Sequence, residues 1–276
     1  MRSRFAAGLL FCVSQLLPNV AVAQAPTALP AATPAATIQT GFLSRSLQVG
    51  GVEYRYEVYV PREYQASVRW PVILALHGSG KYGNDGQRQL DEGLAGPINR
   101  YPDRFPVIVV FPQSHVEGMS GWHGRDGEAA MAELDKTMAE FNVDPARVYL
   151  TGLSAGGNGA WFLAAKYPER FAALAVVCGF VSESHGGSKY PSIAPPGTAD
   201  LFAYVAKQVS SIPVEIFHGS VDPVVEVEES RRMYAALKAA GGDVQYTEYP
   251  GVGHNAWDWA YEQPPMITWM LLQKKK

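Results

Sequence analysis

The first predicted element is a strand in which apolar and more polar residues alternate. Apolar side chains occupy every second position from Val52 to Val60, as in a strand that buries one face. The pattern favours an antiparallel strand, with residues 41–49 as a candidate partner. Beyond Pro71 it changes to short continuous apolar runs, which are typical of parallel strands buried on both faces. These runs cover residues 72–76, 107–111, 148–150, 172–177 and 214–217, and the alternating residues 244–249 predict an edge strand.

Segments whose apolar residues have helical spacing lie between these strands. Met131, Leu134 and Met138, for example, lie three or four positions apart, which is the spacing of one helix face. Because strands and helices alternate, right-handed crossovers should join the strands into an α/β fold. We therefore expect a mostly parallel sheet of about eight strands with helices on both faces. The predicted helices cover residues 128–141, 156–167, 199–209 and 226–240, the last of which ends before Gly241.

The N-terminal residues have the three parts of a secretory signal peptide. Arg2 and Arg4 precede an apolar stretch, residues 5–17, and Ala-Val-Ala at residues 21–23 forms an A-x-A cleavage site. The sequence thus predicts a signal peptide at residues 1–23, cleaved near Ala23, and a secreted or periplasmic protein. The alternative is a buried N-terminal helix. An Ala/Pro-rich linker at residues 24–38 then precedes one catalytic domain, residues 39–276.

Composition narrows the class of protein. Hydrophobic residues make up 47% of the chain, charged residues 18%, and the net charge is −3. This balance excludes intrinsic disorder and gives no support for a nucleic-acid partner. After signal cleavage one cysteine remains, Cys178, at the end of an apolar run, so we expect it to be a core residue. The apolar stretch at residues 5–17 is too short to span a bilayer, so no membrane anchor is predicted.

The segment Gly152-Leu153-Ser154-Ala155-Gly156 matches the G-x-S-x-G pattern of a serine nucleophile. A predicted strand precedes it and a predicted helix follows, which is the context that this turn requires. Small residues on both sides of Ser154 allow a tight turn that exposes its hydroxyl. The alternative is a Gly-rich helix N-terminus that binds an anion.

A serine hydroxyl needs a base, and the base needs a carboxylate. His254 follows the last strand in a Gly-rich loop, and Asp222 follows the preceding strand, which gives the chain order Ser, acid, His. Asp258 is the main competitor for the acid, but it lies only four residues from His254. The competing histidines are His77, His115, His123, His185 and His218, of which His77 and His218 are expected to be structural.

Two backbone N–H groups should bind the oxyanion of a tetrahedral intermediate. One is expected at Ala155, directly after the nucleophile. The other is expected in the Gly-rich loop after the first parallel strand, with Ser79 as first choice and Gly80 as second. No metal or organic cofactor is predicted, because the histidines lack metal-ligand spacing and there is no second cysteine in the mature chain.

Together these segments resemble the α/β-hydrolases, and among them the secreted carboxylesterases grouped with polyhydroxybutyrate-depolymerase-like and feruloyl-esterase-like proteins. The resemblance implies a triad of Ser154, Asp222 and His254, and it places Trp122 and Trp257 near the mouth of the active site as substrate-binding residues. Depolymerases and many feruloyl esterases carry extra cysteines or binding modules, which we do not expect in the mature chain, and this argues against a polymer substrate. The motifs that carry the resemblance are residues 76–80, 144–157, 218–225 and 253–257.

The sequence therefore predicts a secreted serine esterase that hydrolyses a small-molecule carboxylic ester through an acyl-enzyme. Residues 182–198 are too polar and too rich in Gly and Pro for an apolar lid helix, so we expect a minimal cap and an open site. Such a site favours short-chain or aryl, feruloyl-like esters. A serine peptidase or amidase of the same fold, and a non-catalytic binding module, are the alternatives. The oligomeric state is left open.

Overall fold

The structure is a computed structural model that describes residues 39–115, 121–185 and 188–275. The predicted signal peptide and linker lie outside these residues. None of the helices in these ranges is both long and apolar enough to cross a membrane.

An eight-stranded sheet forms the centre of the fold. The strands of the structure are β1 (Gly41–Val49), β2 (Val52–Val60), β3 (Trp70–Leu76), β4 (Ile108–Pro112), β5 (Val143–Leu153), β6 (Ala173–Val177), the two-residue strands β7 (Ser184–His185) and β8 (Ser188–Lys189), β9 (Val214–Gly219) and β10 (Val244–Tyr249). The order of strands in the central sheet is β1-β2-β4-β3-β5-β6-β9-β10; β2 pairs antiparallel with β1 and β4, and all other neighbours are parallel. The predicted antiparallel pair, the parallel strands and the edge strand at residues 244–249 are all present.

The helices lie near the predicted positions, with shifts at their ends. The helices at residues 95–100 and 257–260 and the short 3₁₀ turns were not predicted, because they are too short to show a periodic apolar face. The helix at residues 264–272 was also not among the predicted helices, because nearly all of its residues are apolar. The helices are α1 (Ala95–Arg100), α2 (Arg125–Glu140), α3 (Ala155–Lys166), α4 (Leu201–Val209), α5 (Glu228–Ala239), α6 (Trp257–Ala260) and α7 (Pro264–Leu272), and the 3₁₀ turns are Ser79–Lys81, Arg88–Asp91, Pro102–Arg104 and Pro168–Arg170.

Two apolar clusters cover the two faces of the sheet. Successive strand residues alternate between them, so Leu74 belongs to one cluster and Ile73 to the other. Helices α2 to α5 supply residues such as Leu134 to the first cluster. Helices α1, α6 and α7 supply residues such as Ile98 to the second. The sheet is thus buried on both faces, which explains the continuous apolar runs in the parallel strands.

The connection from β5 to α3 is the tightest turn that bears on function. A methyl group on Gly152 would lie 2.1 Å from the carbonyl oxygen of Gly156, and one on Gly156 would lie 2.2 Å from the carbonyl oxygen of Leu76. Since no side chain fits at such distances, both positions require glycine. The first turn of α3 is therefore packed directly against the backbone of β5 and the end of β3.

We expect Gly152→Ala to lower the free energy of unfolding by about 2–4 kcal/mol, because the new methyl group forces the β5–α3 turn apart. Gly253→Ala is the matched control, since its methyl group would be 3.9 Å from the nearest atom, a Pro223 carbon. Urea unfolding monitored by circular dichroism measures both. Equal midpoints for the two variants would contradict the steric argument.

Candidate active site

Ser154 stands at the junction of β5 and α3 with a backbone that few serines adopt. Its φ is 52° and its ψ is −120°, a conformation that costs a residue with a side chain about 1–3 kcal/mol. The side chain is largely buried, with 8% of the residue exposed. Ala155 is the first residue of α3, so its N–H has no partner within the helix and is available to a ligand.

His254 connects Ser154 to Asp222. The Ser154 hydroxyl lies 2.9 Å from His254 Nε2, and His254 Nδ1 lies 2.7 Å from Asp222 Oδ2. Because the carboxylate only accepts, Nδ1 carries the hydrogen, and Nε2 is left to accept from the serine. The structure thus brings together the three residues that the sequence selected, in an arrangement that can move a proton from the serine to the imidazole.

Asp222 is held by four hydrogen-bond donors. Besides His254, its Oδ2 lies 3.2 Å from His218 Nε2, and its Oδ1 accepts from the Val224 and Val225 amides at 2.8 and 3.0 Å. Burial acts to raise the pKa of Asp222, but these hydrogen bonds outweigh it and hold that pKa well below its ordinary value. The carboxylate is therefore ionised at neutral pH.

His218 is the residue beside Asp222 whose contribution the sequence did not reveal. Its ring is fully buried, and its Nδ1 lies 2.6 Å from the Ser230 hydroxyl. With Ser230 donating to Nδ1, the Nε2–H group faces both Asp222 and the carbonyl oxygen of Val225, 3.0 Å away. A histidine at the end of a strand thus contacts the same carboxylate oxygen as His254.

Hydrogen bonds of the His77 ring fix the loop after β3. His77 Nδ1 donates to the Gly78 carbonyl oxygen at 2.7 Å, and His77 Nε2 accepts from the Ser114 amide at 3.0 Å. Burial lowers the pKa of His77 to about 4, which keeps the ring neutral for this pair of bonds. Since the carbonyl and the N–H of a trans peptide point in opposite directions, His77 also sets the direction of the Ser79 N–H.

The loop is also close to the nucleophile. A methyl group on Gly78 would lie 3.5 Å from Ser154 Cβ. The backbone that carries the Ser79 amide is therefore a neighbour of the Ser154 side chain, as the sequence-based choice of Ser79 requires. Gly80, the second choice, lies one position further along the same 3₁₀ turn.

The two tryptophans have different environments. Trp257 packs edge-on against His254, with 5.2 Å between the ring centroids, and remains partly exposed. Trp122 is fully buried, and its indole N–H donates to the His77 carbonyl oxygen at 3.0 Å. Trp122 therefore supports the loop from beneath and presents no surface to a substrate in this structure, contrary to the expectation for it. Because both residues are tryptophans, residue type alone could not predict which of the two side chains is exposed.

The other residues considered from the sequence as the acid or the base make different contacts. Asp258 is exposed and accepts a hydrogen bond from Asn255 at 3.0 Å. His115 stacks on Tyr54 at 4.3 Å, and His123 Nε2 lies 2.9 Å from Asn158 Oδ1. The His185 side chain lies outside the described part of the structure.

One group of candidate metal ligands coincides with this site. Ligand atoms of Cys178, Asp222 and His254 lie within 4.8 Å of one another. Burial raises the pKa of the Cys178 thiol well above its ordinary value, whereas a metal requires the thiolate. The nitrogens of His254 already face Asp222 and Ser154. The donor set therefore suits proton transfer better than metal binding.

Comparison with known proteins agrees with this geometry. Residues 54–249 match the family Esterase PHB depolymerase. The chain belongs to this family. The crystal structure of a thermostable esterase is similar to this family member with a TM-score of 0.71 and 29% identity, over 85% of this chain and 63% of that chain. The sheet order and this similarity show the α/β-hydrolase fold.

Two curated relatives of this Esterase PHB depolymerase family member are 28% and 26% identical to it. An uncharacterized secreted protein of Arthroderma benhamiae is 28% identical over 215 residues, which cover 68% of this chain and 22% of that protein. Acetylxylan esterase A of Emericella nidulans is 26% identical over 193 residues, which cover 60% of each chain. The chain thus spans less than two thirds of the length of either relative.

We expect Asp222→Asn in this family member to reduce kcat by roughly 10⁴-fold on an ester substrate, because the amide favours the wrong tautomer of His254. Asp258→Asn is the matched control and should leave kcat within about twofold, since its exposed carboxylate contacts Asn255. Steady-state kinetics of both purified variants provides the measurement. A silent Asp222→Asn together with a crippling Asp258→Asn would assign the acid to Asp258.

The same assay across pH tests the charge state of the site. His254 must be neutral to accept a proton, so kcat/KM should fall as pH decreases and the imidazole becomes protonated. Because the pKa of Asp222 is held well below its ordinary value, the ionisation of Asp222 should not contribute to the acid limb. A second ionisation in that limb that disappears in Asp222→Asn would contradict this assignment.

Proposed function

We propose that the protein is a carboxylic ester hydrolase that works through an acyl-enzyme on Ser154. The observation that carries the proposal is the hydrogen-bonded series from Ser154 through His254 to Asp222. The family match and the acetylxylan esterase among the relatives support an ester as the substrate. The strained backbone of Ser154 supports its role as nucleophile, since strain of this kind concentrates at functional sites.

In the proposed acylation step, Ser154 Oγ forms a bond to the carbonyl carbon of the ester while its proton passes to His254 Nε2. The carbonyl π electrons move to the oxygen, and the amides of Ser79 and Ala155 stabilise this oxyanion. Asp222 remains ionised and stabilises the imidazolium. The bond to the alcohol oxygen then breaks, and His254 returns the proton to the leaving alcohol.

Deacylation repeats these steps with water. A water molecule gives a proton to His254 Nε2 and its oxygen attacks the acyl carbon. The second tetrahedral intermediate expels Ser154 Oγ, which takes the proton back from His254 and releases the carboxylic acid. Ester and water are thus converted to alcohol and carboxylic acid, and Ser154 and His254 return to their starting protonation states.

We propose short-chain or aryl esters as the substrate class. Residues 182–185 and 188–198 contain only the strands β7 and β8 and no helix, which supports an open site without an apolar lid. The helix that follows, α4, buries Phe202 and Val205 in the core rather than presenting them over the site. Trp257, beside His254, is a candidate contact for the acyl or alcohol group.

The nucleophile can be tested by covalent labelling. A fluorophosphonate should label Ser154, as located by peptide mass spectrometry, and Ser154→Ala should lose labelling and reduce ester turnover by at least about 10³-fold. Ser211→Ala, at an exposed position, is the matched control and should retain both labelling and ester turnover.

A panel of acetyl, feruloyl and long-chain p-nitrophenyl esters and peptide anilides identifies the substrate class. Labelling at another residue, or faster turnover of anilides than of esters, would contradict the proposal.

We also propose that the protein is secreted. The A-x-A site at residues 21–23 and the secreted relative support this. Expression of the full chain in a Gram-negative host should release a protein from the periplasm whose N-terminal residue, by Edman sequencing, is Gln24. Recovery of the uncleaved chain from the cytoplasm would count against secretion.

A further inference from the structure

We propose that Glu92 is a positioning residue of the site: its carboxylate fixes the loop that carries the Ser79 amide and stabilises the positive charge that forms on His254. This inference rests on the proposed serine mechanism. Glu92 follows the 3₁₀ turn Arg88–Asp91 and matches no motif of the sequence, so only the tertiary structure brings it to the site.

The first observation is a hydrogen bond to the loop. The Gly78 amide donates to Glu92 Oε1 at 3.0 Å. On the other side of the same peptide unit, the His77 carbonyl oxygen accepts from the Trp122 indole. Both polar atoms of this peptide are therefore bound by side chains. Because the next peptide carries the Ser79 N–H, fixing the first restricts the direction of the proposed oxyanion donor.

The second observation is the position of the carboxylate relative to the nucleophile. The point at which Gly78 would carry a methyl group lies 3.2 Å from Glu92 Oε1 and 3.5 Å from Ser154 Cβ. Glu92 and Ser154 therefore border the same side of Gly78. Glu92 also lines a cleft of about 320 Å³ together with Trp257, the residue that packs against His254.

The pKa of Glu92 lies above its ordinary value because of burial, and the positive groups Lys81 and His254 oppose that rise. The Gly78 hydrogen bond also acts to lower this pKa, and Asp91 acts to raise it. Lys81 pairs with Asp91 at 3.6 Å, and Arg100 in the adjoining cleft pairs with Glu262. Asp222 contacts the imidazole directly, Glu92 interacts with it electrostatically, and both carboxylates stabilise its protonated form.

Two substitutions separate the two contributions. Glu92→Gln keeps an oxygen that accepts from Gly78 but removes the charge. Glu92→Ala removes both the charge and the acceptor. Glu262→Gln is the matched control, since it removes a carboxylate from the same cleft without touching the loop. The rate of fluorophosphonate labelling of Ser154, measured across pH for the full chain, reports on the site without requiring the natural ester.

We expect Glu92→Gln to slow labelling about 3- to 10-fold on the alkaline plateau, because the forming imidazolium loses a favourable charge. Its acid limb should move to lower pH by roughly 0.3–1 unit, because the neutral imidazole is then easier to retain. Glu92→Ala should show the same shift and a plateau about 10- to 100-fold below that of the unaltered protein, because the loop is no longer fixed. Glu262→Gln should show neither effect.

The readouts distinguish this inference from the proposed function. If the unaltered protein labels and both Glu92 variants match it in rate and acid limb, Glu92 has no role in the site, while the serine mechanism stands. If both variants slow labelling equally with no shift of the acid limb, or in proportion to a loss of thermal stability, Glu92 is merely structural and the inference fails. If the unaltered protein does not label at all, the proposed function fails and the inference with it.

Discussion

The backbone of Ser154 is the constraint on which the rest of the site depends. A φ of 52° on a serine persists only where the surrounding structure enforces it. Here the enforcement is steric, because the turn brings Gly152 and Gly156 so close to neighbouring backbone that neither can carry a side chain. The same turn starts α3 at Ala155, so one local conformation places the serine hydroxyl against His254 and sets beside it an amide with no partner within the helix.

Parallel pairing brings the other groups to this turn. In the sheet, Leu76 at the end of β3 pairs with Gly152 of β5, and Gly219 at the end of β9 pairs with Tyr249 of β10. Since parallel strands all end at one edge, the loops after these strands meet there. One loop carries Ser79, and the others carry Asp222 and His254. Residues far apart in the chain thus become neighbours through strand order alone.

Two carboxylates at this edge of the sheet have different hydrogen-bond partners, and their pKa values shift in opposite directions. Asp222 accepts from His218, His254 and two backbone amides, and these bonds keep its pKa low in spite of burial. Glu92 accepts from the Gly78 amide, and burial raises its pKa. In the mechanism proposed here the first holds the tautomer of His254, and the second fixes the neighbouring loop and adds a weaker charge interaction.

The sequence by itself determined the order of the sheet strands and of the helices α2 to α5 along the chain, because apolar periodicity depends only on which faces are buried. It also indicated Ser154 from a local turn motif, and Asp222 and His254 from their positions after predicted strands. Only the tertiary structure decided which aromatic ring is exposed: Trp122 lies beneath the loop, whereas Trp257 borders His254. The contacts of His77, Glu92 and His218 likewise join residues whose partners are set by packing. Their chemistry depends on approach between separate segments, and no local pattern in the chain encodes that approach.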